Sequence, residues 1–349
     1  MPFAALGDGT TELELLNTIS TLHDPFNLGP LCHVPGWNGK CIGDCIATIN
    51  RKVLRVVAFQ AAGRIGEIQA WVNDAVKQII NCGAHLNIFT ETRIQIQEMH
   101  TSIINAFSSA GYLALSHNTS SKDSDFAPGS PDQAVLGPRA AGVIVAVSKS
   151  YASGWSDITY DVSGRSIAAN LDLTDGSTVR ILPTYGVSGS NSANFTSINA
   201  KKLAETLLNE FLTDQAIACD RNEWHMIVAG DINSFHQPAI DHNGGPSTVR
   251  PECLSSHLLS PGFYDTFRQR FPTTIAFTHI SVSGGSRLDQ IWIRPALGLM
   301  LPIVSACIIL ELHFKSDHSP VAADFFTTIP RVLDQDDCPV LPPWRLLLF

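Results

Sequence analysis

The amino-acid sequence predicts an α/β fold, and two observations carry that reading. Between residues 53 and 111, short apolar runs of strand length alternate with longer segments whose apolar residues recur every three or four positions. Strand, helix, strand, helix is the opening of an α/β domain. Beyond residue 142, strand-like segments dominate, interrupted by one long helical stripe.

Taken in order, Val53 to Phe59 reads as a strand and Gln60-Ala61-Ala62-Gly63 as a turn. A helix follows with Ile65, Ile68, Trp71, Val72, Ala75, Val76, Ile79 and Ile80 on one stripe, and Gly83 is placed to cap it in the left-handed conformation. Leu86 to Thr90 is the next strand and ends at Glu91. A second helix carries Ile96, Met99, Ile103, Ile104 and Phe107 and stops at Gly111. Residues 117–140, rich in Ser, Asp, Gly and Pro, read as a loop. Strands are expected at Gly142 to Val147, Ile158 to Val162, Ser166 to Leu173 and Val179 to Thr184, with Asp175-Gly176 as the hairpin between the last two. A helix over about 199–214 shows Leu203, Leu207, Leu208, Phe211 and Leu212. Met226 to Ala229 is a buried strand, and the final strands are Ile275 to Val282, Arg287 to Ile293, Ile303 to His313 and Val321 to Phe326.

Residues 1–50 form a poorly specified leader, 51–329 the α/β domain, and 330–349 a Pro-rich tail that ends as if something else should cover or continue it. Hydrophobic residues make up 44% and charged residues 16%, a globular composition. The net charge of −9 supplies no general basic field for phosphates, so a polyanionic substrate would need a bound cation or a local basic patch. The apolar run from Ala296 to Leu310 is broken by Gly298 and Pro302 and is too short for a membrane span. Eight dispersed cysteines and the lack of a basic, apolar leader at Met1 point to reduced thiols and an intracellular protein of nucleus or cytoplasm. Cys32, Cys41 and Cys45 match no zinc-ligand spacing.

The chemistry-bearing residues gather at strand ends. Trp224 to Ala229 runs into Gly230-Asp231-Ile232-Asn233, where an acid and an amide two residues apart leave an extended chain on one side. An ordinary turn reads equally well from Gly-Asp and Asn-Ser. Glu91 closes the strand before it, and alone would be a helix-start acid. Asp289 interrupts an apolar strand and needs a partner, for which Arg287 is the plain choice. Asp317 and His318 precede the last strand.

Together and in this order, Phe89-Thr90-Glu91-Thr92, Gly230-Asp231-Ile232-Asn233, Ser286-Arg287-Leu288-Asp289 and Ser316-Asp317-His318-Ser319-Pro320-Val321 resemble the motifs of the endonuclease/exonuclease/phosphatase superfamily, over about residues 55–326. The resemblance implies a DNase I-like fold, a two-sheet α/β sandwich flanked by helices with its site at one edge. It implies that Glu91 holds a divalent metal, Mg²⁺ with Mn²⁺ as a substitute, and that Asp317 completes the metal site. By the same likeness Asp231 and Asn233 position water and phosphate. His318 binds a phosphate oxygen or transfers protons, with Asp289 orienting it. Tyr185 sits where many members carry a phosphate-side Tyr or His, although a packed strand-end tyrosine fits as well. Gln60 stands where the family has an Asn in the metal shell, and its extra methylene moves the amide oxygen by about 1.5 Å.

Within the superfamily, Ser286 to Trp292, the upstream Phe277-Thr278 and Asp241 are most similar to the apurinic-like endonuclease domains of non-LTR retrotransposons. That likeness implies a Mg²⁺-dependent endonuclease that nicks one DNA strand, derived from a larger reverse-transcriptase polyprotein. A phosphatase acting on a phosphoinositide or nucleotide shares the same site, and Gln60 leaves room for a catalytically impaired retroelement relic.

Overall fold

The computed structural model describes residues 41–44, 53–118 (except 63, 64, 66 and 95), 141–173, 178–187, 198–243 (except 236), 253–281, 284–296, 302–310 and 316–326. These belong to one compact unit within His33–Ile329. Cys32, Cys45, the Asp175-Gly176 hairpin, and the tail 330–349 lie outside the described residues.

In chain order the strands and helices of the first half are β1 (Cys41–Gly43), β2 (Val53–Gln60), α1 (Ile68–Cys82), β3 (Leu86–Thr90), α2 (Gln97–Ser109), β4 (Tyr112–His117), β5 (Val143–Ser148), β6 (Ala152–Tyr160), β7 (Ile167–Leu173) and β8 (Thr178–Pro183). The second half adds α3 (Ile198–Asn222), β9 (His225–Asp231), α4 (Pro238–Asp241), α5 (Leu254–Leu259), β10 (Tyr264–Asp265), α6 (Thr266–Arg270), β11 (His279–Ser281), β12 (Gly284–Ser286), β13 (Asp289–Arg294), β14 (Ile303–Ile309) and β15 (Val321–Phe326).

Two mixed sheets stack face to face, one ordered β1-β14-β15-β2-β3-β5-β4 and the other β10-β13-β9-β8-β7-β6. The core between them interdigitates Val56 and Ala58 of β2, Ile88 of β3 and Phe325 of β15 with Ile181 of β8, Ile227 of β9 and Ile291 of β13. On the outer face of the first sheet, Val57, Phe59 and Phe89 meet Trp71, Val72, Ala75 and Ile79 of α1 and Ile103 and Phe107 of α2. On the outer face of the second, Met226, Val228 and Trp292 meet Leu208, Leu212, Ala216 and Cys219 of α3. β9 therefore faces apolar layers on both sides, which is why Met226 to Ala229 carries no polar alternation. The layering is helix, sheet, sheet, helix.

Local chemistry explains the element ends. Glu67 caps α1 by accepting from the backbone N–H of Gln69 and Ala70 at 3.1 and 2.6 Å, and Gly83 ends it at φ 60°. Ile80, expected on the buried stripe, is exposed on its flank. α3 runs eight residues past the expected end at 214, because Ala216 and Cys219 continue the buried stripe as small residues that an aliphatic periodicity overlooks. β4 was not foreseen. The strand expected over 275–282 shrinks to β11, which ladders with β12, and just before it the Thr278 hydroxyl braces the start of β13 by accepting from the backbone N–H of Leu288 and Asp289, each at 3.0 Å.

Candidate active site

Strand register brings the predicted acids to one edge of the sandwich. Gln60, the last residue of β2, pairs with Thr90 of β3, so Glu91 follows directly beside it. On the facing sheet, Asp231 at the end of β9 pairs with Asp289 at the start of β13. The backbone N–H of Gly186 donates to Asp231 O at 2.7 Å, which sets Tyr185 on the neighbouring strand end. Val321 pairs with Ala58, so the segment just before it carries His318 back over Gln60.

The backbone is bent here to a degree seen at few other points of the described chain. Glu91, Arg93 and Asn233 all have φ between 54° and 55°, a conformation costly for residues with a Cβ. Gly230 turns at φ 142°, where an added Cβ would come within 2.3 Å of Thr184 O. Glycine is required at that position if β9 is to deliver Asp231 so close to β8.

Side-chain contacts tie the residues into one cluster. His318 Nδ1 lies 2.7 Å from Asp289 Oδ2. Gln60 Nε2 donates to Asp231 Oδ2 at 3.3 Å and lies 3.2 Å from His318 Nε2, while its Oε1 accepts from Ser316 Oγ at 2.6 Å. The Asn233 backbone N–H donates to Asp231 Oδ1 and its side-chain amide to Gly186 O, both at 3.0 Å. Glu91 is ion-paired with Arg93. The ligand atoms of Asp231, Asp289 and His318 lie within 4.8 Å of one another, all three residues buried.

Asp317 is placed differently. Its side chain is 66% exposed and turns outward to His279, 3.2 Å away, so it forms the rim while the other acids form the floor. Arg287, the plain partner for Asp289, instead bonds Asp241 and Asp265, which leaves Asp289 to the imidazole. Three contributors were missed from sequence: Arg93; Ser316; and Arg165, buried with its guanidinium 5.2 Å from the centre of the Tyr185 ring and donating to Gly186 O at 3.2 Å. Arg93 had a signal in its two-residue spacing from Glu91. Arg165 had none, since a single arginine before an apolar strand reads as surface.

Electrostatics follow from this packing. Burial, then the charge of Asp289, pushes the Asp231 carboxyl up to about 7, with Glu91 adding to the effect. Burial alone would lower His318, but Asp289 overrides it by charge and hydrogen bond and raises the imidazole to about 10. The Tyr185 phenol is raised by burial and by Asp231 and Glu91, so it stays a neutral donor. His318 Nε2 lies 3.2 Å from the Gln60 amide: a protonated ring donates there to the amide oxygen turned inward, and a neutral ring accepts from the amide nitrogen.

Comparison with solved structures identifies the architecture. An AP endonuclease from Leishmania major superposes with a TM-score of 0.61 at 16% identity, covering 79% of this chain and 89% of that one. A 3′ phosphatase from Neisseria bound to product DNA hairpin gives 0.56 at 18% identity over 78% and 99%. The catalytic domain of APE2 from Xenopus laevis gives 0.55 at 19% identity over 78% and 92%. No family model matches the sequence, and no curated protein does. The fold is DNase I-like, the two-sheet sandwich flanked by helices that these structures share. At these identities the likeness establishes the architecture, and the site chemistry must argue the rest.

Proposed function

We propose that this chain is a metal-dependent phosphodiester hydrolase that nicks one strand of DNA. The observation that carries the reading is the buried Asp231–Asp289–His318 cluster at the edge of a DNase I-like sandwich, with Gln60, Glu91 and Asn233 around it. The donor set fits a divalent cation: carboxylate oxygens in excess, and one acid, Asp231, that burial and its acidic neighbours push toward neutrality. Glu91 would hold it, with the Gln60 amide beside it and Asp317 at the rim, which leaves Asp231 free to handle a proton. Mg²⁺, or Mn²⁺ in its place, would neutralise charge on the non-bridging phosphate oxygens.

The chain's own residues divide the remaining work. Asp231, with a pKa raised to about 7, is matched to accept the proton of an attacking water near neutral pH. Asn233 orients that water beside it through its fixed, strained backbone. His318, kept cationic by Asp289, pairs with a phosphate oxygen, and the neutral Tyr185 hydroxyl donates from the opposite strand. DNA as substrate is supported by the structural neighbours, one of which is a complex with product DNA. The origin in a retrotransposon polyprotein rests on the sequence phrasing around Arg287 and Asp289.

Supercoiled plasmid incubated with the full chain and Mg²⁺ should convert to the open circle, and EDTA should stop it. A parallel phosphate-release assay on inositol phosphates and nucleotides tests the phosphatase alternative. Phosphate release without nicking would move the protein to that class, and silence in both assays from folded protein would mark a relic.

A further inference from the structure

A second group of potential ligands lies at the rim of the site. His279, Asp317 and His318 place their ligand atoms within 4.8 Å of one another. The arrangement is built into the backbone. His279 and His318 face each other across an isolated antiparallel bridge, and the Ser319 N–H donates to Thr278 O at 2.6 Å to lock that register. Residues directly opposite across such a pair project to the same face with Cβ atoms about 5 Å apart. The two imidazole rings accordingly sit 4.7 Å apart, centre to centre.

We propose that His279, Asp317 and His318 form an inhibitory site for a borderline transition-metal cation, Zn²⁺ foremost, distinct from the Mg²⁺ position among the buried acids. Three features favour it. The donor set is two imidazoles and one carboxylate, which suits zinc and related ions and is poor for Mg²⁺. The 3.2 Å separation of His279 Nε2 and Asp317 Oδ2 matches the ~3.3 Å expected between two ligands ~2.0 Å from a tetrahedral ion. Finally, Asp289 on His318 Nδ1 provides the carboxylate–histidine arrangement that fixes a metal-binding ring, and an ion on Nε2 takes the place of that nitrogen's proton and of its contact with Gln60. His279 and Asp317 have side chains 24% and 66% exposed, so the ion has an open approach and room for a water ligand.

The consequence rests on the nuclease reading: an ion on His318 Nε2 removes that ring from the phosphate and halts cleavage. The binding itself does not rest on it. Zn²⁺ titrated calorimetrically into the full chain in saturating Mg²⁺ should bind one ion per chain. His279→Ala and His279→Gln should each weaken that binding at least tenfold while thermal unfolding stays unchanged. Under the same conditions Zn²⁺ should inhibit plasmid nicking by the wild type, and His279→Ala should nick at the wild-type rate with Mg²⁺ while resisting Zn²⁺. Absence of Zn²⁺ binding, or wild-type affinity in both His279 variants, overturns the site. Binding that depends on His279 in a protein that never nicks leaves the site standing and removes the nuclease reading instead.

Discussion

Arg287 and Asp289 are two residues apart on one strand edge, yet they enter two buried charge clusters of opposite design. Arg287 Nε donates to Asp241 at 2.7 Å and the same guanidinium reaches Asp265, while Arg268 also binds Asp241. Two guanidiniums meet two carboxylates, and although burial works against it, Arg287 holds Asp241 below the usual carboxylate range. Asp289 bonds an imidazole, and its strand partner Asp231 bonds an amide and a backbone N–H rather than a guanidinium. The first cluster is closed and fixes α4, α6 and β13 to one another. The second keeps carboxylate charge unmet, which is costly for folding and useful for holding a cation or moving a proton.

The comparison breaks most visibly by removing a member of the second cluster. Asp231→Ala and His318→Ala should each lower plasmid nicking by about 10³-fold or more while leaving the fold intact. Loss of folding in both variants, seen by circular dichroism, would make the cluster structural and erase the contrast. The next largest effect belongs to the closed network. Arg287→Ala leaves Asp241 and Asp265 buried with less compensation and should cost about 3–5 kcal/mol in urea unfolding, with the surviving folded fraction still active.

Asp289→Asn sharpens the contrast by taking away the largest of the charges that raise His318. The imidazole pKa, followed by NMR, should fall from about 10 toward the ordinary histidine value, and nicking should drop about 10²-fold with its alkaline limb moved to lower pH. An unmoved titration would mean that Asp289 does not control the ring.

A smaller effect concerns stability without metal. The folded carboxyl of Asp231 titrates at about 7, above its unfolded value, so the folded state holds a proton that the unfolded chain has released between about pH 4 and 7. Stability contributed there is present at low pH and lost as pH rises through that window. His318 behaves in the same direction at higher pH: its folded value, raised to about 10, gives stability present below the ordinary histidine range and lost as pH climbs to 10. In EDTA, Asp231→Asn should therefore be more stable than wild type at pH 8, by on the order of 2 kcal/mol, and nearly equal at pH 4. Urea curves at the two pH values check the sign.

Much of the architecture was legible because burial writes itself into sequence. Met226 to Ala229 and Val56 to Phe59 are apolar on both faces, and Gly83 and Gly230 punctuate where the chain must turn. The acids stood out because each follows or interrupts such a run. What stayed hidden depended on distant partners. Arg165 acquires its place only when β7 and β8 bring it under Tyr185. Asp317 could be placed beside the site but not turned, since its outward direction follows from pairing with His279, 38 positions earlier in the chain. Small residues carried the end of α3, and Thr278 braces β13 through its hydroxyl, neither of which leaves a periodic trace.

Gln60 gives the finest test. Its side chain, longer than an Asn by one methylene, spans the gap between sheets: Oε1 accepts from Ser316 at 2.6 Å while Nε2 reaches both Asp231 and His318. Shortening it by one methylene withdraws the amide by about 1.5 Å, more than hydrogen-bond geometry tolerates at either end. If Gln60 were a defect, Gln60→Asn would restore a better metal shell and raise nicking. If the surrounding residues have adapted to its length, the variant loses the Ser316 bond and unties Asp231 from His318. Nicking should then fall roughly 5- to 10-fold, in keeping with about 1 kcal/mol for a displaced hydrogen bond, and Ser316→Ala should reproduce most of that loss. A Gln60→Asn protein that nicks faster than wild type in Mg²⁺ would instead identify residue 60 as the point at which the open cluster had been allowed to decay.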